Sequence, residues 1–272
     1  MRPLTIDNLT GGKAPMSPHK QINHLFTIVL VALVVWTALG CDGIGPFGSS
    51  PDGTDLKLVA SYPLDIAESS GLTMDPAGTA LWAIGSRQKR VFKLDLEGRV
   101  LAELAYKGDD PEGLVFDPAD STLWIVEERR REIVQLNQAG RVLDKKRLDL
   151  EGDNNSGLEG ICLDRQGALY ILNEKNPGLF LHMDAELSIA AQDTLDFARD
   201  YSGMAYGMEQ DRFWILSDQD KRLFARDRAG NITASYKLPL PQPEGIAVDE
   251  KTRRMYVVSD SKPTLYVFEF AE

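Results

Sequence analysis

Short apolar strands and polar turns alternate along this chain with a long, regular period. A glycine that opens an apolar stretch recurs at Gly71, Gly113, Gly160, Gly203 and Gly245, at spacings of 42, 47, 43 and 42 residues. The stretches are Leu72-Thr73-Met74, Leu114-Val115-Phe116, Ile161-Cys162-Leu163, Met204-Ala205-Tyr206 and Ile246-Ala247-Val248. Turns built for reversal follow, such as Asp75-Pro76-Ala77-Gly78 and Asp164-Arg165-Gln166-Gly167. An aromatic residue then returns at a fixed place: Trp82, Trp124, Trp214 and Tyr256 lie eleven residues after their glycines, and Tyr170 lies ten after. Large flat side chains repeated in this way suit the wedge between neighbouring sheets. A third strand and a glycine-containing hairpin, such as Asp95-Leu96-Glu97-Gly98 or Asn137-Gln138-Ala139-Gly140, lead into a fourth strand.

Repeats of this length with four strands each predict propeller blades. The expected fold is all-β: a five-bladed β-propeller of NHL-like repeats over residues 55–272. The last repeat stops after its third strand, at Phe270-Ala271-Glu272, whereas Leu56–Leu64 reads as a fourth strand with no blade of its own. Pairing this N-terminal strand onto the last blade would close the ring and remove two open sheet edges.

The first forty residues follow a different pattern. Arg2, Lys13 and Lys20 precede an apolar run from Leu25 to Leu39, which is shorter than a membrane-spanning helix needs and ends at Ala38-Leu39-Gly40-Cys41. This layout resembles a lipoprotein signal peptide over residues 1–40 with a lipobox, so that Cys41 is acylated and becomes the mature N-terminus. An uncleaved N-terminal anchor is the competing reading. Residues 41–54 are rich in Gly, Pro and Ser, as expected of a flexible tether. The expected location is the bacterial cell envelope, lipid-anchored and facing the periplasm or the exterior. Asp42 resembles an inner-membrane retention signal. With Cys41 acylated, Cys162 has no partner for a disulfide, and its strand context predicts a small core residue.

Net charge is −11 and is spread without blocks. Such acidity argues against nucleic acid as a partner and makes divalent cations natural counter-ions. Three sets of residues carry a resemblance to the SdiA-regulated domain family: Glu68-Ser69-Ser70-Gly71-Leu72; Pro111-Glu112-Gly113-Leu114 with Val126-Glu127-Glu128-Arg129; and Leu158-Glu159-Gly160-Ile161 with Asn173-Glu174-Lys175. The resemblance covers roughly residues 56–270. It implies a five-bladed propeller, exported or membrane-associated, with a bound calcium ion and no established reaction.

Two acidic series remain once the strands are placed. Glu112, Glu159 and Glu244 stand immediately before anchor glycines, with Ser70 and Ser202 in the other two repeats. Glu128, Glu174, Asp218 and Asp260 stand just after second strands, with Ser86 in the first repeat. Carboxylates recurring at one place in several blades converge on the propeller axis or its rim. Glu112, Glu159, Glu244, Glu128 and Glu174 are therefore the expected calcium ligands, with Asp218, Asp260 and Glu68 as a further acidic ring. Hard oxygen donors suit calcium, and neither series contains the Cys or His that zinc prefers. For the second series a plainer reading stands beside this one, in which its acids cap solvated hairpins and are offset by nearby bases.

Two functional classes follow. One is a calcium-binding module that recognises a protein or small-molecule ligand. The other is a calcium-dependent hydrolase of esters or phosphoesters, like the lactonase and phytase propellers. The mature chain offers only His182 as a histidine base, in a strand-like Phe180-Leu181-His182-Met183 run that suits a structural role, and no Gly-x-Ser-x-Gly elbow is present.

Overall fold

The computed structural model describes residues 56–152 and 156–270, and Cys41, the signal peptide and the tether lie outside them. The described chain consists of strands β1 (Leu56–Pro63), β2 (Ser69–Met74), β3 (Leu81–Gly85), β4 (Arg90–Leu94), β5 (Val100–Lys107), β6 (Pro111–Asp117), β7 (Thr122–Glu127), β8 (Glu132–Asn137), β9 (Val142–Arg147) and β10 (Leu158–Leu163). It continues with β11 (Leu169–Asn173), β12 (Leu179–Met183), β13 (Ile189–Thr194), β14 (Gly203–Gly207), β15 (Arg212–Ser217), β16 (Arg222–Arg226), β17 (Ile232–Lys237), β18 (Pro243–Asp249), β19 (Arg254–Ser259) and β20 (Thr264–Phe270). They form five antiparallel four-stranded sheets, β2–β5, β6–β9, β10–β13, β14–β17 and β1-β20-β19-β18. This is the five-bladed propeller that the repeats predict. Strand β1 completes blade five, with Leu56 opposite Phe270 and Pro63 opposite Thr264.

The aromatic series sits in register on the second strands, Trp82 opposite Thr73, Trp124 opposite Val115, Tyr170 opposite Cys162, Trp214 opposite Ala205 and Tyr256 opposite Ala247. The shorter turn in blade three therefore leaves the pairing unchanged. These rings fill the wedges between blades: Trp82 joins Leu114 and Ile125 of blade two, and Tyr256 joins Leu72 and Leu81 of blade one. Cys162 is buried as a free thiol, and burial pushes its ionisation well up.

The anchor glycines mark where the innermost strands meet. A β-carbon on Gly113 would overlap the carbonyl oxygen of Glu159, and one on Gly203 would overlap that of Glu244. A β-carbon on Gly245 would lie 2.7 Å from the carbonyl carbon of Gly71, and one on Gly160 3.0 Å from the amide nitrogen of Met204. Each blade thus presses its backbone against the next at the axis, at a distance only glycine permits. The ring leaves a gap of about 10 Å³ between the two ends of the channel. Every innermost strand starts at one mouth and finishes at the other.

Candidate metal site at the acidic mouth

The starts of the inner strands are bulged. In blades one, two, three and five the register slips across the anchor glycine, for example between Pro111 and Leu114 and between Pro243 and Ile246. A bulge re-aims a side chain out of the pleat. Here it accompanies the entry of the residue before the glycine into the mouth. Where that residue is serine, it ties blades together: Ser70 Oγ donates to the Glu112 carbonyl at 3.0 Å, and Ser202 Oγ donates to the Pro243 carbonyl at 2.8 Å. Where it is glutamate, the carboxylate lines the cavity.

That cavity has a volume of about 500 Å³. All eight acids singled out in the sequence line it: Glu68, Glu112, Glu128, Glu159, Glu174, Asp218, Glu244 and Asp260. Two more line it that the sequence reading passes over, Asp110 and Asp200. Both stand three residues before an anchor glycine, as Glu68 does. That shared offset is the signal that could have found them. In blades two, three and five the second acidic series is tied to this offset by a repeated backbone link, Glu128 N–H to the Asp110 carbonyl, Glu174 N–H to Gly157 and Asp260 N–H to Gln242.

The solvated-hairpin reading fails for blade two. Glu127 and Glu128 are only 2% and 9% exposed, yet they serve different ends. Glu127 is structural: it accepts from the Tyr106 hydroxyl and from the amides of Asp109, at 2.9 Å, and Asp110, at 2.6 Å. Glu128 faces the cavity and accepts the Gly157 N–H at 3.2 Å.

Carboxylate oxygens come within 4.8 Å of one another in two groups, Asp110 with Glu112 and Glu128, and Glu128 with Glu159 and Glu174. Glu128 belongs to both. Glu244, Asp218, Asp260 and Glu68 share the cavity but stand outside these groups. Three bases at the rim each engage one acid: Arg129 pairs with Asp110 at 2.9 Å, Arg87 with Glu68 at 3.6 Å, and Lys175 with Glu174, so each carboxylate group has one member already paired.

Crowding has an electrostatic cost. Glu112, Glu159 and Glu244 keep some exposure to the cavity while protein encloses them on nearly every other side. Burial raises the Glu112 pKa to about 8, with Asp110 and Glu128 adding to the effect and the Ser70 and Ser86 hydroxyls opposing it. Ser86 Oγ donates to Glu112 Oε2 at 3.0 Å. Burial, with Asp110 and Glu174 adding, raises Glu128 to about 7 against the pull of the Gly157 N–H. Glu159 and Glu244 are held well above the carboxylate range by burial first and by neighbouring acids second. Burial also raises Glu174, Asp218 and Asp260. Such groups stay ionised together only with a compensating positive charge. An all-oxygen donor set of this density fits a hard divalent cation, and calcium accepts the flexible six to eight oxygens it could supply. Among the described residues, no His or Cys lines this cavity. His182 stacks on Tyr170, with centroids 4.7 Å apart, beside a different cavity bounded by Arg226 and Arg228.

A model of the SdiA-regulated family matches residues 55–269. No curated protein matches the chain significantly. Among solved structures, the fold is similar to a glutaminyl cyclase from Myxococcus xanthus, with a TM-score of 0.62 and 14% identity over 81% of this chain and 100% of that one. It is also similar to the Cps50 (Swd1) β-propeller domain of Myceliophteria thermophila, with a TM-score of 0.53 and 10% identity over 79% and 100%. A virginiamycin B lyase from Staphylococcus aureus has a TM-score of 0.47 and 16% identity over 79% of this chain and 74% of that one. At these identities the likeness extends to the fold alone.

Proposed function

The chain belongs to the SdiA-regulated family, and from that premise we propose that it is an exported, lipid-anchored propeller that binds calcium at its acidic mouth and acts as a ligand- or protein-binding module. The observation that carries the reading is the pair of carboxylate groups sharing Glu128, assembled from neighbouring blades. Asp110, Glu112, Glu128, Glu159 and Glu174 would hold the ion. The ion would supply the positive charge that lets these buried groups ionise, and it would lock the starts of the inner strands to one another.

Binding to the folded state alone stabilises it by mass action, by about 2.7 kcal/mol at a hundredfold excess over the dissociation constant. Calorimetry should detect calcium binding with proton release near pH 7, because Glu112 and Glu128 are partly protonated there. Glu128→Gln should weaken binding most, since it removes an oxygen from both groups while preserving shape. Absence of binding at millimolar calcium, or wild-type affinity in Glu128→Gln, would overturn the assignment. Anchoring is tested separately: a labelled fatty acid should mark the wild type and leave Cys41→Ala unmarked.

A further inference from the structure

The opposite mouth is a cup rather than a passage. It encloses about 730 Å³, within the roughly 300–1,000 Å³ of small-molecule sites. Its wall comes from the far ends of all the inner strands, among them Met74, Phe116, Leu163, Tyr206 and Val248. The glycine ring closes its floor, since a gap of about 10 Å³ admits no more than a single water. A ligand can therefore enter only from the lip.

The lip is acidic, and its charges are held in place. In the first hairpins of blades one, two and five an acid accepts amide hydrogens from its own turn: Asp75 from Thr79 at 2.7 Å, Asp117 from Ala119 at 2.9 Å, and Asp249 from Lys251 at 3.1 Å. Glu250 reaches across to the Gln210 amide at 3.2 Å. Asp164 is paired with Arg228 at 3.0 Å and contributes little net charge. Among the described residues, Arg165 and Lys251 are the only bases lining the cup, and the Arg165 guanidinium is turned to the Met208 carbonyl. Apolar walls, a closed floor and an anionic lip together define complementarity to one chemical type.

We propose that this cup binds an apolar molecule or chain carrying a positive charge, with the apolar part against the inner-strand wall and the cationic group at the lip. Apolar burial supplies the affinity, and the fixed carboxylates select the sign of the charge. The site is separate from the acidic mouth and does not depend on calcium.

Octyltrimethylammonium, octanoate and octanol share one chain and differ in headgroup charge, and tetramethylammonium has the charge without the chain. Calorimetry on the full chain, at sub-micellar concentrations, should show one octyltrimethylammonium bound at least about tenfold more tightly than octanoate, with octanol between them and no tetramethylammonium bound. Val248→Arg should reduce octyltrimethylammonium binding by about tenfold or more. Asp117→Asn with Glu250→Gln should narrow the cation-to-anion preference several-fold and leave octanol unchanged, a readout that holds even if the wall variant misfolds. Glu128→Gln should leave all four unchanged. Equal affinity for octanoate, no binding of any octyl compound, or self-association through this face that Val248→Arg abolishes would each overturn the proposal.

Discussion

The two mouths of the channel are made by the same inner strands, yet they differ in nearly every physical respect. At the start of four of the five strands a bulge accompanies the glycine, and the carboxylates gathered at this mouth crowd until several can no longer ionise at their ordinary pH. At the finish, the same strands present Met74, Phe116 and Val248 to a cup whose acids stay outside on the hairpins. The glycine ring between them separates a place where charge is crowded and costly from one where it is confined to the lip. One strand can host both because its period-two pleat is interrupted only at its start.

The most destructive way to break this contrast is to open the ring. Removing residues 56–63 should expose the edge of β20 and abolish a folded monomer, whereas removing residues 42–53 should leave the melting curve unchanged. Size-exclusion chromatography and thermal melts on both truncations decide the matter. Next in size is the floor. Gly203→Ala places a methyl group inside the Glu244 carbonyl, and urea titration should show a loss above about 4 kcal/mol. Gly167→Ala is the control: its φ is +80° but nothing lies within 4 Å, so about 1 kcal/mol should be lost.

A subtler test separates the mouths by pH. Glu112 has a pKa of about 8 in the folded protein, against the ordinary 4.5 expected once unfolded. Below pH 4.5 both states are protonated, and the contribution to stability is complete. As pH rises towards 8 the unfolded chain ionises first, so the folded state loses ground, and above pH 8 the loss levels off. Calcium-free protein should therefore melt at a lower temperature at pH 8 than at pH 5, and calcium should remove most of the difference. Glu159→Gln should flatten the slope and, without calcium, gain about 1–2 kcal/mol at pH 8, because a neutral amide replaces a crowded carboxylate. The smallest effect belongs to the other mouth: Val248→Ala should cost roughly 1 kcal/mol and leave both the pH slope and the calcium response unchanged.

How much of this could be read from the residues depends on whether a position repeats. The anchor glycines and the aromatics recur in every blade, and with them the fold, the closure and the place of Glu112, Glu159 and Glu244 were legible. Asp110 and Asp200 were not, because their offset carries Gly157 and Gln242 in two other blades, and no apolar run marks it. Glu127 and Glu128 are indistinguishable as a sequence pair. Their separation is decided by the end of β7, where one carboxylate turns back to Tyr106 and the next enters the channel. The cup was hidden for another reason: a strand residue facing the channel and one packed on the next blade are apolar alike.

The pairing of Leu56 with Phe270 also governs how the ring answers force. These residues sit at the outer ends of antiparallel strands, so a pull on both acts across the ladder and not along it. Rungs are then loaded one after another, each worth about 1 kcal/mol, and never as a group in shear. Heat must disrupt blade five cooperatively, but a tug at the two ends can peel β1 away like a zipper. The seam that completes the propeller thus yields to such a pull rung by rung.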